Sequence, residues 1–180
     1  MDGESVVKKA YEAILSGDFE LAIVRFEEAI ALEPENAAFC YKCSITCARS
    51  GKWPKALHYA EEAVRLEPEQ EEYRFHLQTV RAKQLIHEAE TLLAQSMDEA
   101  AAAIVKLREA SRLDPLSVEA LLLLGAAYSA QGRLDEASQC AREAVRLEPG
   151  HTAARKLLSD IRRRKRLWGY GQTRKRKRNR

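Results

Sequence analysis

Four prolines, Pro34, Pro68, Pro115 and Pro149, close four versions of one phrase: AIALEPEN, AVRLEPEQ, ASRLDPLS and AVRLEPGH. The first two prolines stand 34 residues apart and so do the last two, while the middle pair is separated by 47, one period plus thirteen. A fixed period in this range belongs to a stack of supersecondary units, in which each unit buries its apolar face against the next. In three of the four copies a glycine divides the phrase into two apolar-periodic segments: Gly17-Asp18-Phe19, Gly51-Lys52-Trp53 and Gly132-Arg133-Leu134. Glycine supplies the left-handed conformation that ends one helix as the next begins. The proline then stops the second helix, because it lacks a donor and crowds the preceding turn. Ala, Leu, Glu and Arg dominate while Gly and Pro are few, so the chain is expected to be all-α.

The individual positions resemble the tetratricopeptide repeat (TPR) family. Its pattern is a large apolar residue, Leu-Gly and Tyr on the first helix, then Ala, an aromatic, Ala and Pro on the second. The last copy offers Leu121, Leu124-Gly125, Tyr128, Gly132, Ala137, Ala144 and Pro149. The first offers Gly17, Ala22, Phe26, Ala29 and Pro34, and the second Gly51, Ala56, Ala63 and Pro68. The resemblance covers residues 3–151 and implies an all-α, right-handed superhelical TPR-like solenoid. The repeats are expected at about 3–36, 37–70, 71–117 and 118–151. A capping helix over 152–166 and a basic tail over 167–180 follow.

The sequence departs from the pattern in two places. Lys9 replaces an apolar residue of the first helix, as in a helix that faces solvent at the end of a stack. In the third copy His87, Glu90 and Thr91 fall where apolar or small residues belong, and Ile86, Ala89 and Leu93 are slipped by one. Tyr73, Leu77, Val80, Leu85, Ala89 and Leu92 recur at helical spacing through the thirteen extra residues. The spacing predicts one helix over 71–95, about 37 Å long at about 1.5 Å per residue, which would project some 20 Å past its neighbours. Ser96 and Glu99 have the spacing of a capping box at the start of the next helix. After Pro149, Ala154, Leu157, Leu158 and Ile161 make the apolar stripe of the terminal helix. Gly169 and Gly171 are expected to end it, and the tail from Gln172, without apolar residues, is expected to be disordered.

The net charge of +3 conceals a division. From Arg162 onward there are eleven Lys/Arg and no Asp or Glu, so residues 1–161 carry a net charge of −8. Arg162, Arg163, Arg164, Lys165 and Arg166 form one cluster and Arg174, Lys175, Arg176, Lys177 and Arg178 another, with Trp168 and Tyr170 between them. Such a segment suits a nuclear import receptor, the phosphates of nucleic acid, or an anionic membrane surface. A merely solvated tail has the same composition. The N-terminus has no apolar stretch of signal-peptide type, and the longest uncharged run, Ala120–Gly132, is too short to span a bilayer. With four cysteines this suggests a reducing, intracellular setting, cytoplasmic or nuclear.

Cys40, Cys43 and Cys47 share one helical face at a spacing that metal sites also use. They occupy places where the resemblance implies buried residues, and a buried thiol behaves as a small hydrophobe. Core packing is therefore the expectation, with no metal or other cofactor. The histidines have no triad partners at recognisable spacing, and no phosphate-binding glycine loop is present, so nothing argues for an enzyme. The resemblance implies a protein-interaction adaptor whose concave groove takes a peptide or helical segment of a partner. The aligned outward positions are Val7, Tyr41, Lys42, Ile45, Arg49, Leu122, Ala126 and Ser129. The clamp with which some relatives hold the acidic C-terminus of chaperones would fall on Val7, Tyr11, Lys42, Glu72 and His76, of which only Lys42 is cationic, so a co-chaperone role is a weaker expectation. The competing reading is a nucleic-acid- or ribonucleoprotein-associated factor acting through the basic end.

Overall fold

A computed structural model describes residues 2–96 and 99–178, with 168–178 described by their backbone alone. Among the described residues there are nine helices and no strand. They are α1 (Gly3–Leu15), α2 (Phe19–Leu32), α3 (Ala37–Arg49), α4 (Trp53–Leu66), α5 (Glu71–Gln95), α6 (Ala100–Leu113), α7 (Val118–Ala130), α8 (Leu134–Leu147) and α9 (Thr152–Arg178).

The punctuation acts locally. Gly17, Gly51 and Gly132 have φ of 81°, 70° and 75°. At the first, Asp18 N–H donates to the Ala13 carbonyl (2.9 Å) and Gly17 N–H to that of Ile14 (3.0 Å), closing the α1 carbonyls. The equivalent long-reach bonds, Lys52 N–H to Cys47 O and Arg133 N–H to Tyr128 O, are both 2.9 Å. At the other end of each hairpin, Glu33, Glu67, Asp114 and Glu148 precede proline and leave the helical region, with φ near −130° and ψ between 73° and 88°.

The chain divides into two compact units, Met1–Gln84 and Leu85–Arg180. In the first, Val6, Val7, Ala10, Ile23, Phe26, Phe39, Cys43, Cys47 and Val80 share a core, and Cys40 packs with Ala37, Ala63 and Tyr73. The cysteine triplet is thus interior filling. Burial raises the Cys40 thiol, and Cys43, whose thiol is hydrogen-bonded to Cys47, is raised as well. Gly3 is needed where α1 begins: its N–H donates to Glu33 Oε1 at 2.9 Å, and a Cβ there would lie 2.6 Å from the Phe39 ring.

In the second unit Ile86, Ala89, Ile104, Leu107, Leu124, Tyr128, Ala141, Leu158 and Ile161 form the core, with Leu93 packed against it. The slipped set Ile86, Ala89 and Leu93 is therefore the buried face of α5, while His87 and Glu90 face outward as an i,i+3 pair. α5 is one helix of 25 residues; its first half supplies Tyr73 and Val80 to the first unit and its second half Ile86 and Ala89 to the second. The thirteen extra residues lengthen a helix, as their spacing predicts.

The residue at the α6 N-cap is Glu99, without a side-chain cap bond, and its N–H donates to the Ser96 carbonyl at 3.2 Å. One local expectation needs correction. Gly169 and Gly171 do not end the last helix, which continues to Arg178, so the tail over 167–178 is not the irregular segment its composition suggested. An interior glycine costs only about 1 kcal/mol relative to alanine, and Arg, Lys and Gln are good helix formers. The acidic-proline stop that ends the earlier second helices is missing here.

Candidate protein-interaction surfaces

The centre of the first unit's candidate surface is α3. Its buried side takes Cys40, Cys43, Ser44 and Cys47, which leaves Tyr41, Lys42, Ile45 and Arg49 on the other side. All four sequence-predicted residues are half-buried or exposed. The Lys42 ammonium lies 5.8 Å from the Tyr11 ring centroid and 5.9 Å from that of Phe39, and the Arg49 guanidinium lies 5.5 Å from that of Phe19. Neither cation has a carboxylate partner among the described residues, so both are held by ring quadrupoles and keep their charge available.

Beside them, Tyr41 joins α3 to α5. Its hydroxyl donates to Glu72 Oε1 at 2.8 Å, and its ring lies 4.8 Å from that of Tyr73 and 5.1 Å from that of His76. Burial, with the Glu72 carboxylate second, pushes the Tyr41 phenol up to about 12. Behind it, Ser44 Oγ donates to the Ala56 carbonyl at 2.6 Å, so that its lone pair accepts from His76 Nε2 at 2.8 Å. Burial lowers the His76 pKa, and Glu72 opposes that shift.

Val7 does not belong to the surface. It is 2 % exposed, because α1 buries a wide stripe of Gly3, Val6, Val7, Ala10 and Ala13. Tyr11, 43 % exposed and edge-on to Phe26, occupies the place expected of Val7. The surface also includes Phe75, which sequence reasoning missed: it is 72 % exposed on the α5 side that carries Glu72 and His76. An aromatic three residues from Glu72 and four from Thr79, on the polar stripe of a helix, was the available signal.

In the second unit the predicted positions on α7 are mostly occupied internally. Leu122 packs against Val118, Ala144 and Ala154, and Ser129 is 7 % exposed. Arg164 of α9 donates to the Ser129 carbonyl at 2.8 Å and to its Oγ at 2.5 Å, so the last helix covers this residue. Ala126 alone of the three is exposed. Of the first basic cluster, Arg164 and Lys165 serve docking, the latter through Asp135, whereas Arg162, Arg163 and Arg166 are exposed. The side chains of Arg174, Lys175, Arg176, Lys177 and Arg178 lie outside the described residues. No helix among the described residues is long and apolar enough to cross a membrane.

Antiparallel helix pairs with left-handed glycine turns, prolines at the repeat ends and alanines at the close contacts define a helical-repeat protein of the tetratricopeptide type. The chain belongs to the family of the cilia and flagella-associated protein 70 middle TPR-like domain, whose model matches residues 8–148. Among solved structures, the fold is similar to that of MamA (residues 41 to the end) from Desulfovibrio magneticus RS-1, with 19% identity, TM-score 0.55, and 91% of this chain and 85% of that chain covered. It is also similar to YrrB, described as a TPR protein with an unusual peptide-binding site, with 21% identity, TM-score 0.50, and 92% and 78% covered. Curated protein sequences give no match.

Proposed function

We propose that this chain is an interaction scaffold whose first unit binds an extended or helical segment of a partner protein on the face made by α1, α3 and the start of α5. The observation that carries the reading is the row Lys42, Ile45, Arg49. Two cations that have no carboxylate partner among the described residues stand seven residues apart on one helix face, held over aromatic rings, with an apolar residue between them and Tyr11 and Phe75 alongside. Two helical turns separate the charges by about 10 Å. A matching segment carries a large apolar side chain flanked by carboxylates, so that apolar anchors give affinity and the charges fix its register. The likeness to a peptide-binding TPR protein supports peptide recognition in general terms. Glu72 stands where a chaperone-tail clamp needs a cation, and it would repel a terminal carboxylate, so recognition of an internal acidic-apolar segment is the better reading.

Selection of displayed peptides on the full chain, compared with selection on Lys42→Glu/Arg49→Glu, tests this. Enrichment of acidic-apolar peptides on the wild type, with binding at least tenfold weaker to the double variant, is expected; such a loss corresponds to about 1.4 kcal/mol. Equal binding of the selected peptides to both would refute the assignment. Both side chains are partly or fully exposed, so unfolding temperature serves as the control for folding.

A further inference from the structure

The cations of α9 fall into two groups. Arg164 and Lys165 hold the helix to α7 and to Asp135, and Arg163 lies 3.9 Å from Asp160. Arg155, Arg162 and Arg166 are exposed and, among the described residues, have no carboxylate partner. With Ser159 they follow one another at intervals of four, three and four residues, which is a single row on a helix, about 16 Å from end to end. The row borders an open concavity of about 640 Å³ lined by Arg155, Leu158, Ser159, Arg162, Lys165 and Arg166.

We infer that this row binds the phosphodiester backbone of nucleic acid without regard to sequence. The inference is independent of the peptide-binding reading, since it concerns another helix in the other unit. Arginine forks match phosphate oxygens two at a time, and three in a row meet a ligand whose charge repeats regularly. An anionic membrane is a poorer match. A helix that lies on a bilayer inserts an apolar face, and that face of α9, with Ala154, Leu158 and Ile161, is already buried in the second unit. An acidic peptide is also a poorer match, because no large apolar side chain is exposed along the row, and the exposed Leu167 stands past its end and about 100° round the helix from Arg166. The net charge of −8 on residues 1–161 would keep a polyanion away from most of the surface and confine it to this end of the chain.

Binding of a short fluorescein-labelled DNA duplex by the full chain, followed by anisotropy across salt concentrations, tests the inference. Each phosphate contact contributes a slope of about −0.9 to log K against log salt. Arg155→Gln/Arg162→Gln/Arg166→Gln should flatten the slope by about 2 to 3 and weaken binding at least tenfold near 50 mM salt. A second variant with Arg174, Lys175, Arg176, Lys177 and Arg178 changed to Gln should retain the part of the slope that the row supplies. A row variant that binds and responds to salt like the wild type overturns the inference. So does tighter binding to phosphatidylserine vesicles or to polyglutamate than to the duplex at the same salt. An unchanged unfolding temperature of the row variant excludes misfolding as the cause of a loss.

Discussion

Ser44 is the most exacting polar position of the first unit, and replacing it with alanine tests how the α3–α5 contact is held. Its hydroxyl is fully buried, donates to Ala56 O at 2.6 Å and accepts from His76 Nε2 at 2.8 Å. Ala56 lies within α4, so its carbonyl keeps an intrahelical bond, and the loss there is that of one net hydrogen bond, about 1 kcal/mol. His76 is partly buried, and its Nε2–H would be left without an acceptor, adding about 1 kcal/mol. The sum is about 2 kcal/mol. For a unit of 84 residues this lowers the unfolding temperature by roughly 8–16 °C. Urea unfolding, with hydrogen exchange of residues 1–84 to localise the effect, measures it. The cycle Ser44→Ala, His76→Ala and both together should give a coupling of about 1 kcal/mol. Additivity within about 0.3 kcal/mol would show that the Ser44–His76 contact contributes nothing, and a Ser44→Ala loss below about 0.5 kcal/mol that neither contact does.

The same pair predicts a pH dependence. Burial lowers the His76 pKa below its ordinary 6.5, with Glu72 opposing. A depressed histidine contributes stability that is present above the unfolded value and is lost as pH falls from about 6.5 toward the folded value. His76→Gln should remove this part of the decline between neutral pH and pH 5, read as the urea midpoint. Phe26→Ala deletes a side chain with no exposed surface and should cost about 3–5 kcal/mol, measured by the same unfolding assay. Gly51→Ala places a Cβ in the left-handed region at φ 70° and should cost about 1–2 kcal/mol, although nothing obstructs the space around it. Gly3→Ala brings its Cβ to 2.5 Å from Glu33 Oε1 and 2.6 Å from the Phe39 ring; the forced shift of a buried ring should cost about 1–3 kcal/mol.

The helix pairs were legible in the sequence because their signals act within a few residues. A left-handed glycine and a residue driven out of the helical region by the following proline need no distant partner, and all three such glycines and all four proline stops behave as read. The long α5 was legible for a related reason, since an unbroken apolar period outlasted a failing family alignment. Burial was harder. Val7 and Ser129 lie on first helices at outward-aligned places, yet α1 has a wide buried stripe and α9 lays Arg164 over Ser129, and both depend on residues far along the chain. The same limit hid Phe75, whose exposure depends on what α3 leaves uncovered. The end of α9 was misplaced because two glycines were weighed without the good helix formers around them.

The heptapeptide Glu-Ala-Val-Arg-Leu-Glu-Pro occurs twice, at 62–68 and 143–149. Both copies build the same object, with a buried alanine, a Glu–Arg pair three residues apart and a C-cap outside the helical region. Two interchangeable pieces in one chain invite mispairing, the characteristic failure of repeat proteins. Time on the ribosome separates them: Ala144 follows Ala63 by 81 residues, or about 4–16 s at ordinary synthesis rates. By then the first copy has had ample time to close against α3, since small helical domains fold in microseconds to milliseconds. Refolding from denaturant removes that head start, and should yield a slower fraction, independent of protein concentration, that synthesis in order avoids.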